Sequence, residues 1–273
     1  MNIAIIGYGK MGKLIETTAL ARGLRVTAVV DPSPVGIPPG KLSVCGAPVF
    51  RSIAEAGDLG GAEAAIEFTR PDTAASNLLA LAKRRLPVVT GTTGWLERLD
   101  EVSRAVEAAG SSLLWASNFS LGVNLFYRIA AYAAALADPF PEYDAGGWEA
   151  HHNKKADSPS GTAKMLAEKV LSQMTRKKQA VWEVLDRPPA PEEFHYPSLR
   201  VGSMPGIHTL IFDSPADTIQ ITHTARNREG FALGALRAAE WLLGCSAPDG
   251  VPGVARRGVF TMDDVLHDVL QIQ

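Results

Sequence analysis

Residues Gly7-Tyr8-Gly9-Lys10-Met11-Gly12 constrain this chain more than any other stretch. They fit G-x-G-x-x-G, and their context gives the pattern weight. An apolar run, Ile3 to Ile6, precedes them, and a helical pattern, Met11 to Arg22, follows. A chain that leaves a buried strand, turns on glycines and enters a helix is starting a βαβ unit. In such a turn Gly7 permits the tight bend, Gly9 lets a diphosphate approach the backbone, and Gly12 lets helix and strand pack closely. The helix start offers its free N–H groups to the diphosphate. Tyr8, Lys10 and Met11 belong to the same turn and count among the expected cofactor contacts. The next strand, Arg25 to Val30, ends at Asp31, where an acid would bind the ribose hydroxyls.

The alternation continues. Pro32 to Pro48 is rich in Pro and Gly and reads as a loop. Strands are expected at Ala64 to Phe68, Val88 to Thr90 and Ser112 to Ala116, with helices at Asp72 to Arg85 and Leu96 to Ala109. This order predicts a parallel sheet with helices on both faces. Ligands of such sheets bind beyond the carboxyl ends of the strands. Two of those ends carry glycine and small hydroxyl residues, Phe68-Thr69-Arg70-Pro71 and Gly91-Thr92-Thr93-Gly94. Phe68, Thr69, Gly91, Thr92 and Thr93 are therefore candidate cofactor contacts, with plain capping and turn chemistry as the alternative.

After Asn118 the pattern changes. Leu121 to Ala137 reads as a long helix. Strand-like runs follow at Trp148 to His152, Val181 to Leu185, Leu199 to Val201, Ile207 to Phe212 and Thr218 to Thr224, interrupted by a helix at Thr162 to Gln173. Phe231 to Leu243 and Val259 to Leu270 again resemble α/β elements. The expected fold class is α/β: a Rossmann-type dinucleotide-binding domain over 1–120, a second α+β substrate and oligomerisation domain over 121–228, and a C-terminal segment, 229–273, returning to the first domain. A length of 273 residues suits one or two domains.

Composition narrows the function. The net charge of −2 gives no support to nucleic-acid binding. No apolar run approaches the ~18 residues that span a membrane. The start of the chain has no basic residue before Lys10 and does not read as a signal peptide. Cys45 and Cys245 lie far apart without motif spacing, which fits a cytoplasmic protein with incidental thiols.

The stretch Glu149 to Lys164, EAHHNKKADSPSGTAK, carries the second chemical signal. On an extended strand Trp148, Ala150 and His152 share one face, and Glu149 and His151 the other. Adjacent histidines then do not converge on one metal ion, and the isolated His195, His208 and His223 supply no ligand register, so no metal site is expected. Ser158-Pro159-Ser160-Gly161-Thr162 precedes a helical run. An N-cap explains one hydroxyl. A helix start with exposed N–H groups, hydroxyls and lysines nearby also makes a carboxylate site. Hydride transfer needs an accompanying proton, and Lys155 and His151 are the candidates: histidine titrates near neutral pH, and a lysine among cations is a better acid. Lys154 reads equally well as a solvated residue. Arg226 and Arg228 could each add charge to the anion site, and spacing does not choose between them. The residues alone describe a nicotinamide-dependent oxidoreductase acting on a small carboxylate. A related two-domain amino-acid dehydrogenase and a non-enzymatic NAD sensor are the rival classes.

These segments, with Ser117-Asn-Phe-Ser-Leu-Gly-Val-Asn124, resemble the 4-hydroxy-tetrahydrodipicolinate reductase family over nearly the whole chain. The resemblance implies NAD(P)H-dependent reduction in lysine and diaminopimelate biosynthesis. It puts His151 in the place of the family's proton donor or acceptor and Lys155 in that of its proton donor. It gives His152, Ser160, Gly161, Thr162 and Arg228 to the substrate, and Ala116, Ser117, Asn118 and Phe119 to the nicotinamide side. It also implies a homotetramer built through the second domain's sheet, with a small dicarboxylate as substrate. Asn153 and Lys154 depart from the family's usual His-His-Arg-His-Lys, and the glutamate common before His208 is absent. Pro32 and Ser33, rather than an arginine, follow Asp31. The expectation is use of both NADH and NADPH with NADH preferred, unless Lys41 reaches a 2′-phosphate.

Overall fold

The structure, a computed structural model, describes residues 1–32, 42–245 and 253–270. Ser33 and Lys41 lie outside the described residues. In chain order the elements are β1 (Asn2–Ile6), α1 (Lys10–Ala21), β2 (Arg25–Val30), β3 (Val49–Phe50), β4 (Ala64–Glu67), α2 (Pro71–Lys83), β5 (Val88–Thr90), α3 (Leu99–Ala108) and β6 (Ser112–Trp115). Then come α4 (Leu121–Ala137), β7 (Asp144–His151), α5 (Gly161–Leu171), β8 (Gln179–Val181), β9 (Glu193–His195), β10 (Ser198–Arg200), β11 (Ile207–Asp213) and β12 (Thr218–Thr224). The chain closes with α6 (Glu229–Leu242), β13 (Gly258–Phe260) and α7 (Met262–Leu270). The residues group into two compact units, Met1–Ser120 with Glu229–Gln273, and Leu121–Arg228. No helix among the described residues is long and apolar enough to cross a membrane.

In the first unit the described strands form one sheet in the order β13-β6-β5-β4-β1-β2-β3. Every pairing is parallel. The reason is visible in β1, whose Ile3, Ala4, Ile5 and Ile6 are all buried. A strand apolar on both faces must be covered on both sides, and each buried Ile contributes roughly 1.5–3 kcal/mol. Ala4, Ile6, Ala65 and Leu113 pack with Leu78 and Leu81 of α2 and Val102 and Val106 of α3. Helix α6 packs beside α1 and over β4, β5 and β6. The strand order reverses at β1, so the chain ends of β1, β4 and β5 open onto a crevice at the topological switch point.

The second unit is a mixed sheet in the order β12-β11-β7-β9-β8, with β10 also paired to β7. Helices α4 and α5 cover one face: Phe126, Ala130, Leu166 and Val170 meet Phe194, Tyr196, Leu210 and Phe212. The register puts Trp148 opposite Thr209, and Ala150 opposite both Ile207 and Leu199. By alternation these residues lie on the other face, where Leu199 is 51% exposed.

Three short elements differ from expectation. β3 and β9 are absent from the sequence reading because two or three residues carry no period. The run expected at Val181 to Leu185 is strand only through Val181, and Val184 is 92% exposed. Beyond it the chain turns where Arg187 pairs with Glu193 at 2.6 Å.

Candidate active site

The first unit holds a groove of about 430 Å³. Gly9, Lys10 and Met11 line it from the first turn, Phe68 and Thr69 from the end of β4, and Gly91, Thr92 and Thr93 from the end of β5. The three glycines of the turn differ in kind. Gly7 has φ +93°, and a side chain there would collide with the Phe68 carbonyl. A Cβ on Gly12 would collide with the Gly7 carbonyl. A Cβ on Gly9 would meet nothing within 4 Å. Gly9 is also the N-cap of α1 and supplies no side-chain cap. An open, uncapped helix start beside a bare backbone is what a diphosphate requires, so the residues present fit a dinucleotide.

The neighbouring side chains fix this groove. Thr69 N–H donates to Thr92 Oγ1 at 2.8 Å, and Trp95 Nε1 donates to the Thr92 carbonyl at 2.8 Å. A Cβ on Gly91 would overlap the Phe68 ring. That ring lies 6.0 Å from the ring of Phe119, which is itself buried. Thr69 Oγ1 is turned inward and donates to Glu67, a buried carboxylate that also accepts from Thr90 Oγ1 at 2.5 Å. Asp31 Oδ2 accepts from Tyr8 N–H at 2.7 Å, which ties the end of β2 to the glycine turn.

Two expected cofactor contacts need correction. The Tyr8 side chain is fully buried and its hydroxyl donates to Glu16, so only its backbone belongs to the turn. Phe119 is likewise core, and shapes the groove through Phe68. Of the rest of that segment, Ser117 is exposed and Ala116 and Asn118 are half-buried. Asn118 Oδ1 accepts from Ser120 N–H at 2.8 Å.

In the second unit, β7 carries Glu149 and His151 on one face and leads through residues 152–160 to α5. Ser160 is the N-cap of α5, with extended backbone, and its hydroxyl accepts from Ala163 N–H at 3.1 Å. Ser160 was expected to touch substrate, but it is buried and its hydroxyl donates to Glu149. Its part is to hold the helix start. Gly161 is exposed, and a Cβ there would meet nothing within 4 Å. Thr162 is half-buried and shares a hydrogen bond with Tyr127.

Glu149 is fully buried and is the hub. Its Oε1 accepts from Ser160 N–H at 3.0 Å, Ser198 Oγ at 2.7 Å and Arg200 Nη2 at 3.0 Å; its Oε2 accepts from Ser160 Oγ. Burial opposes ionisation, but these donors outweigh it and hold the carboxyl below its ordinary range. His151 Nδ1 is 3.5 Å from Glu149 Oε2, and His208 Nδ1 is 3.9 Å away. The two imidazoles meet edge-on at 5.2 Å. Burial pushes both below the usual histidine range, against the pull of Glu149.

Lys155 was expected among cations. Its ammonium instead pairs with Asp157, at 2.8 and 3.0 Å, because the turn after His152 brings that carboxylate back toward it. Arg200 also donates to the Asp157 carbonyl at 2.7 Å, linking β10 to the same turn. Lys154 and Asn153 are exposed, while His152 is half-buried. Arg226 and Arg228 are exposed after β12, and the arginine bonded to the cluster is Arg200.

His208, isolated in the sequence, is not isolated in the fold. Antiparallel pairing sets His208 directly opposite Glu149. Single atoms of Glu149, His151 and His208 lie within 4.8 Å of one another, a donor set of metal-binding type. The Arg200 guanidinium, however, already supplies a cation to this carboxylate, and a metal ion would compete with it. Arg200 and the hub role of Glu149 have no counterpart in the sequence expectations, which left the role of His208 open. The available signal was period-two alternation, which puts Glu149 beside His151; the partners on β10 and β11 depend on long-range pairing.

Comparisons with known proteins bear on both units. The family models "Dihydrodipicolinate reductase, N-terminus" and "Dihydrodipicolinate reductase, C-terminus" match residues 1–119 and 122–266. A 4-hydroxy-tetrahydrodipicolinate reductase of Christiangramia forsetii is 36% identical, with 99% of this chain and 100% of that protein covered. One of Archaeoglobus fulgidus is 34% identical, covering 98% and 100%. Among solved structures, a dipicolinate-bound dihydrodipicolinate reductase from Paenisporosarcina sp. TG-14 superposes with a TM-score of 0.76 at 22% identity, covering 96% and 97% of the two chains. An amine dehydrogenase from Mycobacterium smegmatis shares the fold at a TM-score of 0.58 and 11% identity. The matches run through both halves and across the whole length, and the chain belongs to the dihydrodipicolinate reductase family, enzymes built on a nicotinamide-dinucleotide fold.

Proposed function

We propose that this chain reduces 4-hydroxy-tetrahydrodipicolinate to tetrahydrodipicolinate in lysine and diaminopimelate biosynthesis, with residues 1–120 and 229–273 binding the dinucleotide and residues 121–228 binding substrate. The observation that carries the reading is the junction of β7 and α5. There an exposed helix start at Gly161 follows the connection that leaves His151, the last residue of β7, and carries His152 and Lys155. A helix N-terminus favours a carboxylate, and the dipicolinate of the Paenisporosarcina structure is a planar dicarboxylate.

The chemistry replaces C–OH by C–H, so it takes in a hydride and a proton and releases water. The nicotinamide, when bound, supplies the hydride. Gly7, Gly9, Lys10, Met11 and Gly12 hold the dinucleotide by backbone, Asp31 by the ribose hydroxyls, and Phe68, Thr69 and Gly91 to Thr93 at the strand ends. Gly161 and Thr162 hold one substrate carboxylate, aided by His152 and Arg228. Lys155 delivers the proton, with Asp157 orienting its ammonium, and His151 serves as its partner in proton transfer.

NADH is preferred over NADPH, because Asp31 repels a 2′-phosphate and Pro32 cannot offset it. The chain acts in the cytoplasm. It works as a homotetramer assembled through the sheet face bearing Trp148, Leu199 and Ile211, which α4 and α5 leave uncovered.

Inhibition by pyridine-2,6-dicarboxylate tests the substrate half. It should compete with substrate, and Gly161→Ala, which fits the free protein, should weaken it about tenfold, roughly 1.4 kcal/mol. Equal inhibition of the variant would place the carboxylate elsewhere.

A further inference from the structure

Glu149 joins two parts of the site that the mechanism treats separately. Its carboxylate accepts the N–H and O–H of Ser160, and so fixes the first turn of α5. The same carboxylate faces the two imidazoles. Among the described residues Oε1 takes three donors and Oε2 only the Ser160 hydroxyl, leaving a lone pair toward the rings. His151 Nδ1 and His208 Nδ1 are both buried and have no hydrogen-bond partner among the described residues, and His151 is the nearer to Oε2. The opposite nitrogen, His151 Nε2, faces Gly206. A Cβ at Gly206 would lie 3.1 Å from it, and the φ of +135° there also demands glycine. The ring is thus backed by a carboxylate on its Nδ1 side and kept clear on its Nε2 side.

We propose that Glu149 is a positioning residue that sets the tautomer of His151: the proton sits on Nδ1, facing Glu149, and Nε2 is presented as the atom that exchanges a proton with the reacting centre. The inference rests on the reading of His151 as a proton-handling residue. It goes further by naming the nitrogen and the group that selects it. A free imidazole has no such constraint, and which nitrogen is protonated follows from the hydrogen bond the other makes. Because Glu149 also holds Ser160, the helix start and the imidazole are set by one carboxylate and keep a constant spacing. The charged and titratable groups facing His151 are Glu149 on β7, Lys155 and Asp157 on the following turn, Arg200 on β10 and His208 on β11. Of these, Glu149 offers the acceptor nearest Nδ1.

The first test does not depend on activity. Nitrogen-15 NMR of histidine-labelled wild-type protein at pH 8, assigned with His151→Gln, should show His151 protonated at Nδ1. A spectrum with the proton on Nε2 overturns the proposal whether or not the chain proves to be a reductase. The second test is kinetic. Glu149→Gln should lower kcat by about 10- to 100-fold, at or below the lower limit of about 10²-fold for loss of a general acid or base itself, and move the acid limb of the kcat profile. KM for NADH should stay unchanged. Glu149→Asp, which keeps the charge, should recover part of kcat. Glu149→Gln with wild-type kcat and pH profile, or Glu149→Asp no better than Glu149→Gln when both melt as folded proteins, would contradict it. If the glutamine variant does not fold, the wild-type spectrum still decides. A wild-type protein with the Nδ1 tautomer but no reductase activity would sink the functional reading and leave the positioning claim standing.

Discussion

Gly9→Ala separates binding from folding, because the free protein has room for the methyl group. Among the described residues nothing lies within 4 Å of a Cβ at Gly9, and its backbone, φ −77° and ψ −155°, suits any residue. Restricting the unfolded chain contributes about 0.4–1 kcal/mol of stability, and losing glycine at the N-cap costs a similar amount. The net change stays within about 1 kcal/mol, or roughly 2–4 °C in Tm for a unit of this size. The methyl group would nevertheless stand where the diphosphate approaches. NADH affinity should fall at least tenfold, about 1.4 kcal/mol or more. Gly12→Ala is the contrasting variant. Its methyl would strike the Gly7 carbonyl, and Gly7 is held by its N–H bond to Val30 at 2.8 Å. Overpacking of this kind costs about 1–3 kcal/mol, so Gly12→Ala should melt clearly lower. The assays are thermal unfolding and NADH fluorescence titration. Gly9→Ala that binds NADH within twofold of wild type would refute the placement of the diphosphate over Gly9.

Lys155→Ala should lower kcat about 10²-fold or more while leaving NADH affinity nearly unchanged; near-normal turnover would remove Lys155 as the proton source. Asp31→Ser combined with Pro32→Arg should shift kcat/KM toward NADPH through a bidentate phosphate contact, and a wild type that already prefers NADPH would show that another cation outweighs Asp31. For pH, burial holds the folded pKa of His208 below the unfolded value of about 6.5. The unfolded chain therefore binds the extra proton, and stability is full above about pH 6.5 and falls as pH drops toward the folded pKa. Each such histidine contributes at most about 1.4 kcal/mol per pH unit. Urea midpoints between pH 5 and 7.5 should rise with pH, less steeply in His208→Gln, and a flat wild-type profile would contradict the buried neutral ring.

The first unit was legible because its signals are local. A glycine pattern between an apolar run and a helix marks the switch point without any knowledge of sheet order. The inward turn of Tyr8 was not legible, because its partner Glu16 lies two helical turns away and only the fold buries it. In the second unit Ser160 could be read as a cap, and it is one. Its second bond, to Glu149, crosses from helix to strand and leaves no periodic trace. The arginine that binds Glu149 was not among the candidates, since Arg226 and Arg228 were weighed only for the anion site. Arg200 arrives through the parallel pairing of a three-residue strand with β7. Short strands and cross-strand partners are set by tertiary packing, and their residues carry little local preference.

A coupled assay tests the reductase activity most directly. The purified chain is supplied with synthase-generated 4-hydroxy-tetrahydrodipicolinate, and NADH or NADPH absorbance is followed. Cofactor oxidation should require the synthase-generated substrate, and pyridine-2,6-dicarboxylate should suppress it. No oxidation with either cofactor by a folded, NADH-binding protein, or activity only as an amino-acid dehydrogenase, would contradict the reductase reading.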